Sequence, residues 1–206
     1  MKAPIVCTPY GHGVLNNLSG TPRYLSWLAR VVRPHLGREV LEIGAGIGNM
    51  TRRLMAWTLL YMVAEKDPLY LHALRTRFFR TPNVVVQRID PAPPADFAGL
   101  EGHFDTVLCV NMLEFVDDPR GIVETLRVAL KPNGNAVIVV SQNPKRYGSF
   151  DRCLGHKRRF SKSEIRELVH SRDSPSRRFT TSTRLELFPG FRIVNDPVHR
   201  VSGSHC

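Results

Sequence analysis

Val40-Leu41-Glu42-Ile43-Gly44-Ala45-Gly46-Ile47-Gly48 passes from a short, largely apolar run into three glycines at alternate positions. The apolar run has the length and composition of a buried strand. Glycines directly after it permit a tight turn in which the backbone can approach a ligand with no Cβ in the way. The spacing is G-x-G-x-G, with Asn49 where a dinucleotide fingerprint wants its third glycine. Such a turn serves either as a plain strand-to-helix connection or as the floor of a nucleotide-like cofactor site.

Outward from this stretch the same unit recurs. Upstream, Thr21-Pro22 followed by Tyr24, Leu25, Leu28, Val31 and Val32 predicts a capped helix with an apolar face, stopped near Pro34 or Gly37. Downstream, a helix is expected from Asn49 to about Trp57, then a strand over Leu60–Ala64 ending at Glu65. Asp67-Pro68 opens the next helix, the aspartate as cap and the proline in the first turn. Further strands are predicted at Val84–Ile89, Phe104–Val110 and Ala136–Val140, with a helix from Pro119 to Leu130 ended by Lys131-Pro132-Asn133-Gly134. Strands alternating with helices predict an α/β fold: a doubly wound, mostly parallel sheet with helices on both faces.

Beyond Ser141 the pattern weakens. Ser161-Lys162-Ser163-Glu164 is a capping-box signature for a helix to about His170. From Ser171 the chain is rich in Ser, Thr and Arg, and Leu185–Phe188 and Phe191–Val194 are its only strand-like stretches, so an incomplete sheet or a loose hairpin is expected there. The expected organisation is a lid or flexible segment over 1–20, a cofactor-binding domain over 21–170, and an atypical basic tail over 171–206.

Two acids give the glycine turn a context. Glu65, at the end of the second strand and about twenty residues on, stands where a carboxylate accepts ribose hydroxyls. Asp90, at the end of the third strand, adds a carboxylate on the same sheet edge, suited to the exocyclic amine of adenine.

From about Tyr24 to Phe160 the sequence resembles the class I S-adenosylmethionine-dependent methyltransferases, whose first motif, (D/E)-x-G-x-G-x-G, is matched by Glu42, Gly44, Gly46 and Gly48. The resemblance implies that Glu42 and the loop Gly44-Ala45-Gly46 flank the methionine part of S-adenosylmethionine, that Glu65 holds the ribose, and that Asp90 faces the adenine. It implies further that Phe104–Val116 is the family's fourth strand and its exit, with Asn111 beside the methyl donor. Lys131–Gly134 is similar to the K-P-G-G turn before the fifth strand. The sequence departs from the family at Phe115, where many small-molecule members carry a histidine, and after residue 170, where the sixth and antiparallel seventh strands are expected but Ser171–Phe179 does not read as a strand.

A sulfonium methyl is already a strong electrophile, so alignment of an acceptor and exclusion of water are the main requirements, and a general base is optional. Glu114 is the candidate to orient or deprotonate an acceptor; a carboxylate favoured by a helix start is its plainer reading. Tyr147, His156, Arg158 and Arg159, with Lys157 between them, are candidate contacts for a small-molecule or carrier-linked acceptor, including an anionic or phosphorylated one. A solvated basic loop is the alternative. His12, between Gly11 and Gly13, is a candidate to close over the site, against a plain surface position.

The 206 residues, 42% hydrophobic and 23% charged, fit one globular domain. The net charge of +11 is concentrated between Lys145 and Arg178, where eleven Lys and Arg meet four acids. That charge keeps RNA open as a substrate, and Leu41–Thr51 is also similar to the first motif of rRNA adenine dimethyltransferases. Their N-(L/I/P)-P-(Y/F) motif is replaced here by Asn111-Met112-Leu113-Glu114, which disfavours nucleic acid. A degenerate, non-catalytic cofactor-binding module is a third reading, and the glycine spacing disfavours NAD chemistry. Cys7, Cys109, Cys153 and Cys206 form no C-x-x-C pair, no metal-ligand spacing is present, and no window approaches the ~18 apolar residues of a membrane span. A cytoplasmic location is expected.

Overall fold

A computed structural model describes residues 22–92, 94–169, 178–179 and 191–194. Helix α1 (Pro22–Val32) precedes β1 (Glu39–Ile43), α2 (Thr51–Leu54), β2 (Leu60–Glu65), α3 (Pro68–Phe78) and β3 (Val84–Arg88). Then come β4 (Phe104–Val110), α4 (Pro119–Ala129), β5 (Leu130–Ser141), α5 (Ser149–Leu154), α6 (Lys162–Val169), β6 (Arg178–Phe179) and β7 (Phe191–Val194). The strand order is β3-β2-β1-β4-β5-β6, all parallel, with β7 antiparallel on β5.

The central strands β1, β4 and β5 are buried on both faces, and their side chains divide by period two. From β1, Leu41 and Ile43 join one cluster while Val40 joins the other. From β5, Ala136, Ile138 and Val140 oppose Val137 and Val139 in the same way. The first cluster is sealed by Ile122, Val123 and Leu126 of α4 and Ile165 and Val169 of α6. The second is sealed by Leu25, Leu28 and Val32 of α1, Leu54 of α2, and Leu74 and Phe78 of α3. Each such side chain contributes about 1.5–3 kcal/mol on burial.

The Asp-Pro start of α3 forms as expected, Asp67 accepting the Leu69 amide at 2.8 Å, and Asp118 caps α4 in the same way, accepting the Arg120 amide at 3.0 Å. The capping box at α6 also forms, Ser161 Oγ accepting from the Glu164 amide while Glu164 accepts from the Ser161 amide. The entry to β1 is fastened to β4, because Asp105 accepts from the amides of Arg38 and Glu39 and pairs with Lys131.

Three local expectations are corrected. The helix expected to Trp57 is α-helical only over Thr51–Leu54 and tightens into a 3-10 turn over Met55–Trp57. The side chains of Asn83 and Thr58 take up the Met55 carbonyl there, replacing further helical hydrogen bonds. Lys131–Gly134 is not a turn ahead of β5 but a bulge within it. Leu130 pairs with Phe104 and pairing resumes at Asn135–Thr106, while Asn133 takes up the slack with φ +67°. Finally, Arg178–Phe179, at the end of a stretch not read as a strand, pairs in parallel with Asn135–Ala136, while Phe191–Val194 is a strand as expected and runs antiparallel along Ile138–Ser141. Leu185–Phe188, His12 and the expected lid over 1–20 lie outside the described residues. Among the described residues, no helix is long and apolar enough to cross a membrane.

Candidate active site

The strand order reverses between β1 and β4, so their carboxyl ends splay and leave a crevice. The glycine turn and Asn111 occupy its two lips. Gly44 (φ +66°) lies so close to the other lip that a Cβ there would sit 2.7 Å from Met112 Cγ. Gly48 (φ +77°) packs on α3, where a Cβ would meet Phe78 and Leu74 at 2.6 and 2.9 Å. Those two glycines are thus required by left-handed backbone and by close packing together.

Glu65 ends β2 almost buried. Its Oε2 accepts the Gly46 amide at 2.8 Å, and its Oε1 accepts those of Lys66 and Asp67 at 2.8 and 3.0 Å. Asp90 follows β3 on the same edge. It accepts the Ala92 amide and pairs with Lys66 at 3.4 Å, and with Lys66, Arg88 and Asp96 it lines an open polar depression of about 510 Å³.

Glu42, from the middle of β1, is 2% exposed. Its Oε2 accepts from Thr51 Oγ1 at 2.6 Å and from Tyr61 Oη at 2.9 Å. Burial pushes its carboxyl up to about 7, against the lowering effect of those two hydroxyls.

On the opposite lip Asn111 is left-handed (φ +49°) and its amide donates to Val139. Its side chain lies near the Tyr24 hydroxyl of α1, whose pKa burial raises to about 12, against the lowering effect of Asn111. Glu114 is fully buried, with Oε1 accepting the Ser141 amide and Oε2 without a hydrogen-bond partner among the described residues. Burial raises its pKa, opposed by the Ser141 N–H.

After β5 the chain makes an excursion closed by the bridge between Gln142 and Phe160 and carrying α5. The four candidate acceptor contacts lie on it, and all four have partners inside the protein. Tyr147 Oη donates to the His156 carbonyl at 2.7 Å. Arg158 donates to the Asp117 carbonyl, and Lys157 pairs with the Asp117 carboxylate. Arg159 Nε donates to the buried Asp151 carboxylate at 2.7 Å, and His156 Nδ1 lies 3.4 Å from the same oxygen. Lys157 and Arg159 are thus in ion pairs, and Arg158 is hydrogen-bonded to a backbone carbonyl.

Four residues here escaped the sequence reading. Tyr24 was assigned to an apolar helix face, Thr51 entered only as the end of the Leu41–Thr51 resemblance, and Tyr61 carries no motif. Asp151 counted only as a charge, although an acid three places after Gly148 is a helix-start signal, and its Oδ2 does accept the Gly148 amide at 2.9 Å.

A doubly wound sheet with an antiparallel β7, a glycine turn after β1 and acids at the ends of β2 and β3 is the arrangement of the class I methyltransferase fold. Residues 41–136 match the model of a methyltransferase domain. A ubiquinone biosynthesis O-methyltransferase of Acinetobacter baumannii is 29% identical over 132 residues, 61% of this chain and 54% of that protein. The chain thus spans about half the length of the curated relatives it matches. Among solved structures, a SAM-dependent methyltransferase from Thermotoga maritima superposes with a TM-score of 0.60 at 23% identity, covering 74% of this chain and 70% of its own. The methyltransferase CalH, solved with SAH, has a TM-score of 0.53 at 21% identity, covering 69% and 43%. These likenesses are of fold.

Proposed function

We propose that the chain transfers a methyl group from S-adenosylmethionine to a small-molecule or carrier-linked acceptor. The observation that carries this reading is the meeting of the glycine turn with Glu65 at the switch point. A carboxylate offers about four lone-pair sites, and Glu65 uses three on backbone amides, so Oε2 retains capacity for a ribose hydroxyl. A Cβ at Gly44 would press into the opposite lip. The residues present therefore fit the cofactor: Gly44–Gly48 beneath the methionine portion, Glu65 at the ribose, Asp90 at the adenine amine, and Asn111 facing them from β4.

The bound cofactor would supply an electrophilic methyl on a sulfonium centre. The protein's part is to hold and orient. Glu42 presents a buried carboxylate whose ionised form a nearby cation would favour. Ion pairs to Asp117 and Asp151 hold the segment after β5 beside the loop of Asn111 and Glu114, where an acceptor would be kept from water. Glu114 Oε2 remains a candidate contact for the acceptor.

The names of the ubiquinone biosynthesis relatives support a small-molecule acceptor. Pairing of Lys157, Arg158 and Arg159 with internal acceptors weighs against an RNA-binding face built from them. Domain limits of 21–170, with 1–20 as a covering segment, belong to the same proposal, as does a cytoplasmic setting. Calorimetry with S-adenosylmethionine and S-adenosylhomocysteine tests the cofactor, and absence of heat with both would overturn it. Transfer of labelled methyl into the low-molecular-weight fraction of a cell extract tests the reaction.

A further inference from the structure

We propose that His156, backed by the buried carboxylate of Asp151, is the general base of the site; the inference rests on the methyl-transfer reading above. The acceptor it serves is a protic one, a hydroxyl above all.

Asp151 is 1% exposed at the start of α5; it accepts the Gly148 amide on Oδ2 and Arg159 Nε on Oδ1, and His156 Nδ1 lies 3.4 Å from Oδ1, within ion-pair reach though outside hydrogen-bond geometry. Burial opposes its charge, yet Arg159 and the Gly148 amide hold its pKa below the usual carboxylate value. A fixed anion facing Nδ1 favours the tautomer with the proton on Nδ1 and leaves the Nε2 lone pair as the basic site.

The imidazole packs against the loop that bears Asn111 and Glu114. Its ring stands edge-on to Phe115, centroids 4.8 Å apart, and the neighbouring Lys157 amide donates to the Glu114 carbonyl at 2.8 Å. The histidine that the sequence lacks at 115 is thus offered by the segment after β5, packed against the phenylalanine in its place. The charged groups around it are Asp151 on α5, Arg159 on its own segment, and Glu114 on the facing loop. Burial lowers the His156 pKa, with Arg159 adding to this and Asp151 opposing it, so the ring is neutral at neutral pH.

In the step assigned to it, Nε2 takes the hydroxyl proton of the acceptor. The electron pair left on oxygen forms the new bond to the methyl carbon as the carbon–sulfur bond breaks onto sulfur. Asp151 stabilises the imidazolium, which returns its proton to water.

Two measurements on the full chain test this. The first is ¹⁵N NMR of histidine-labelled protein with S-adenosylhomocysteine bound. His156 is expected neutral near pH 7, protonated on Nδ1, and Asp151→Asn is expected to shift the proton toward Nε2. A proton on Nε2, or an imidazolium at that pH, would overturn the proposal. The second is labelled methyl transfer into the low-molecular-weight extract across pH, with His156→Gln beside the wild type. The variant is expected to lose about 10²–10⁴-fold in rate and the acid limb of the profile, while keeping its affinity for S-adenosylhomocysteine within about twofold. Equal rates and limbs in both proteins would sink the base alone. A wild type that binds S-adenosylhomocysteine yet labels nothing would sink the methyl-transfer reading, and the base with it.

Discussion

Glu65 and Gly46 are joined by a 2.8 Å hydrogen bond that ties the end of β2 to the middle of the turn after β1. The carboxylate that would hold a ribose therefore also shapes the glycine loop, so cofactor affinity and loop order are coupled. Glu65→Gln, which keeps one acceptor oxygen, is expected to weaken S-adenosylhomocysteine by about 10-fold through loss of a charged hydrogen bond. Titration calorimetry measures this, and unchanged affinity would speak against the ribose role.

Gly48→Ala places a methyl 2.6 Å from Phe78 at a left-handed φ. The expected loss of stability is about 2–4 kcal/mol, strain and clash together, read by urea unfolding. Phe78→Leu in the same chain should restore part of it. No recovery would show that backbone strain alone sets the cost.

Glu42 makes stability depend on pH. Its folded pKa, about 7, lies above its ordinary value of 4.5, so its contribution is fully present below about pH 4.5 and is lost as pH rises through about 7. The stake is about 3 kcal/mol at most. Glu42→Gln keeps an acceptor for Thr51 and Tyr61 and should flatten the decline in melting temperature between about pH 5 and about pH 8. A decline as steep as in the wild type would mean that Glu42 is ionised throughout.

Lys157, Arg158 and Arg159 are paired internally, so an RNA substrate bound through them predicts something the structure disfavours. Short single-stranded RNA is expected to bind weakly, and Lys157→Ala with Arg158→Ala should leave the slope of log affinity against log salt nearly unchanged. A slope reduced by about 1–2 would restore RNA as a partner.

The period-two strands, the Asp67-Pro68 helix start and the Ser161–Glu164 box were legible because each is a local pattern whose physical cause lies within a few residues. The glycine turn, Glu65 and Asp90 were legible for a related reason: in a parallel sheet, consecutive strand ends necessarily fall on one edge. What escaped depends on long-range partners. Nothing near Tyr24 announces that its hydroxyl meets Asn111. Nothing near Asp151 announces that it draws in both His156 and Arg159, and the bulge at Lys131–Gly134 is set by Glu39 and Asp105 on other strands. The tail was obscure because β6 and β7 are short and their pairing is dictated by β5 rather than by their own composition.

The central claim is that the turn after β1 and Glu65 together bind S-adenosylmethionine. Calorimetry of S-adenosylhomocysteine with the wild type and with Glu65→Ala, each checked by circular dichroism for an intact fold, tests it most directly. One-to-one binding by the wild type, weakened about 100-fold or more in the variant, is the predicted result. No binding by the wild type, or equal binding by a folded variant, would contradict it.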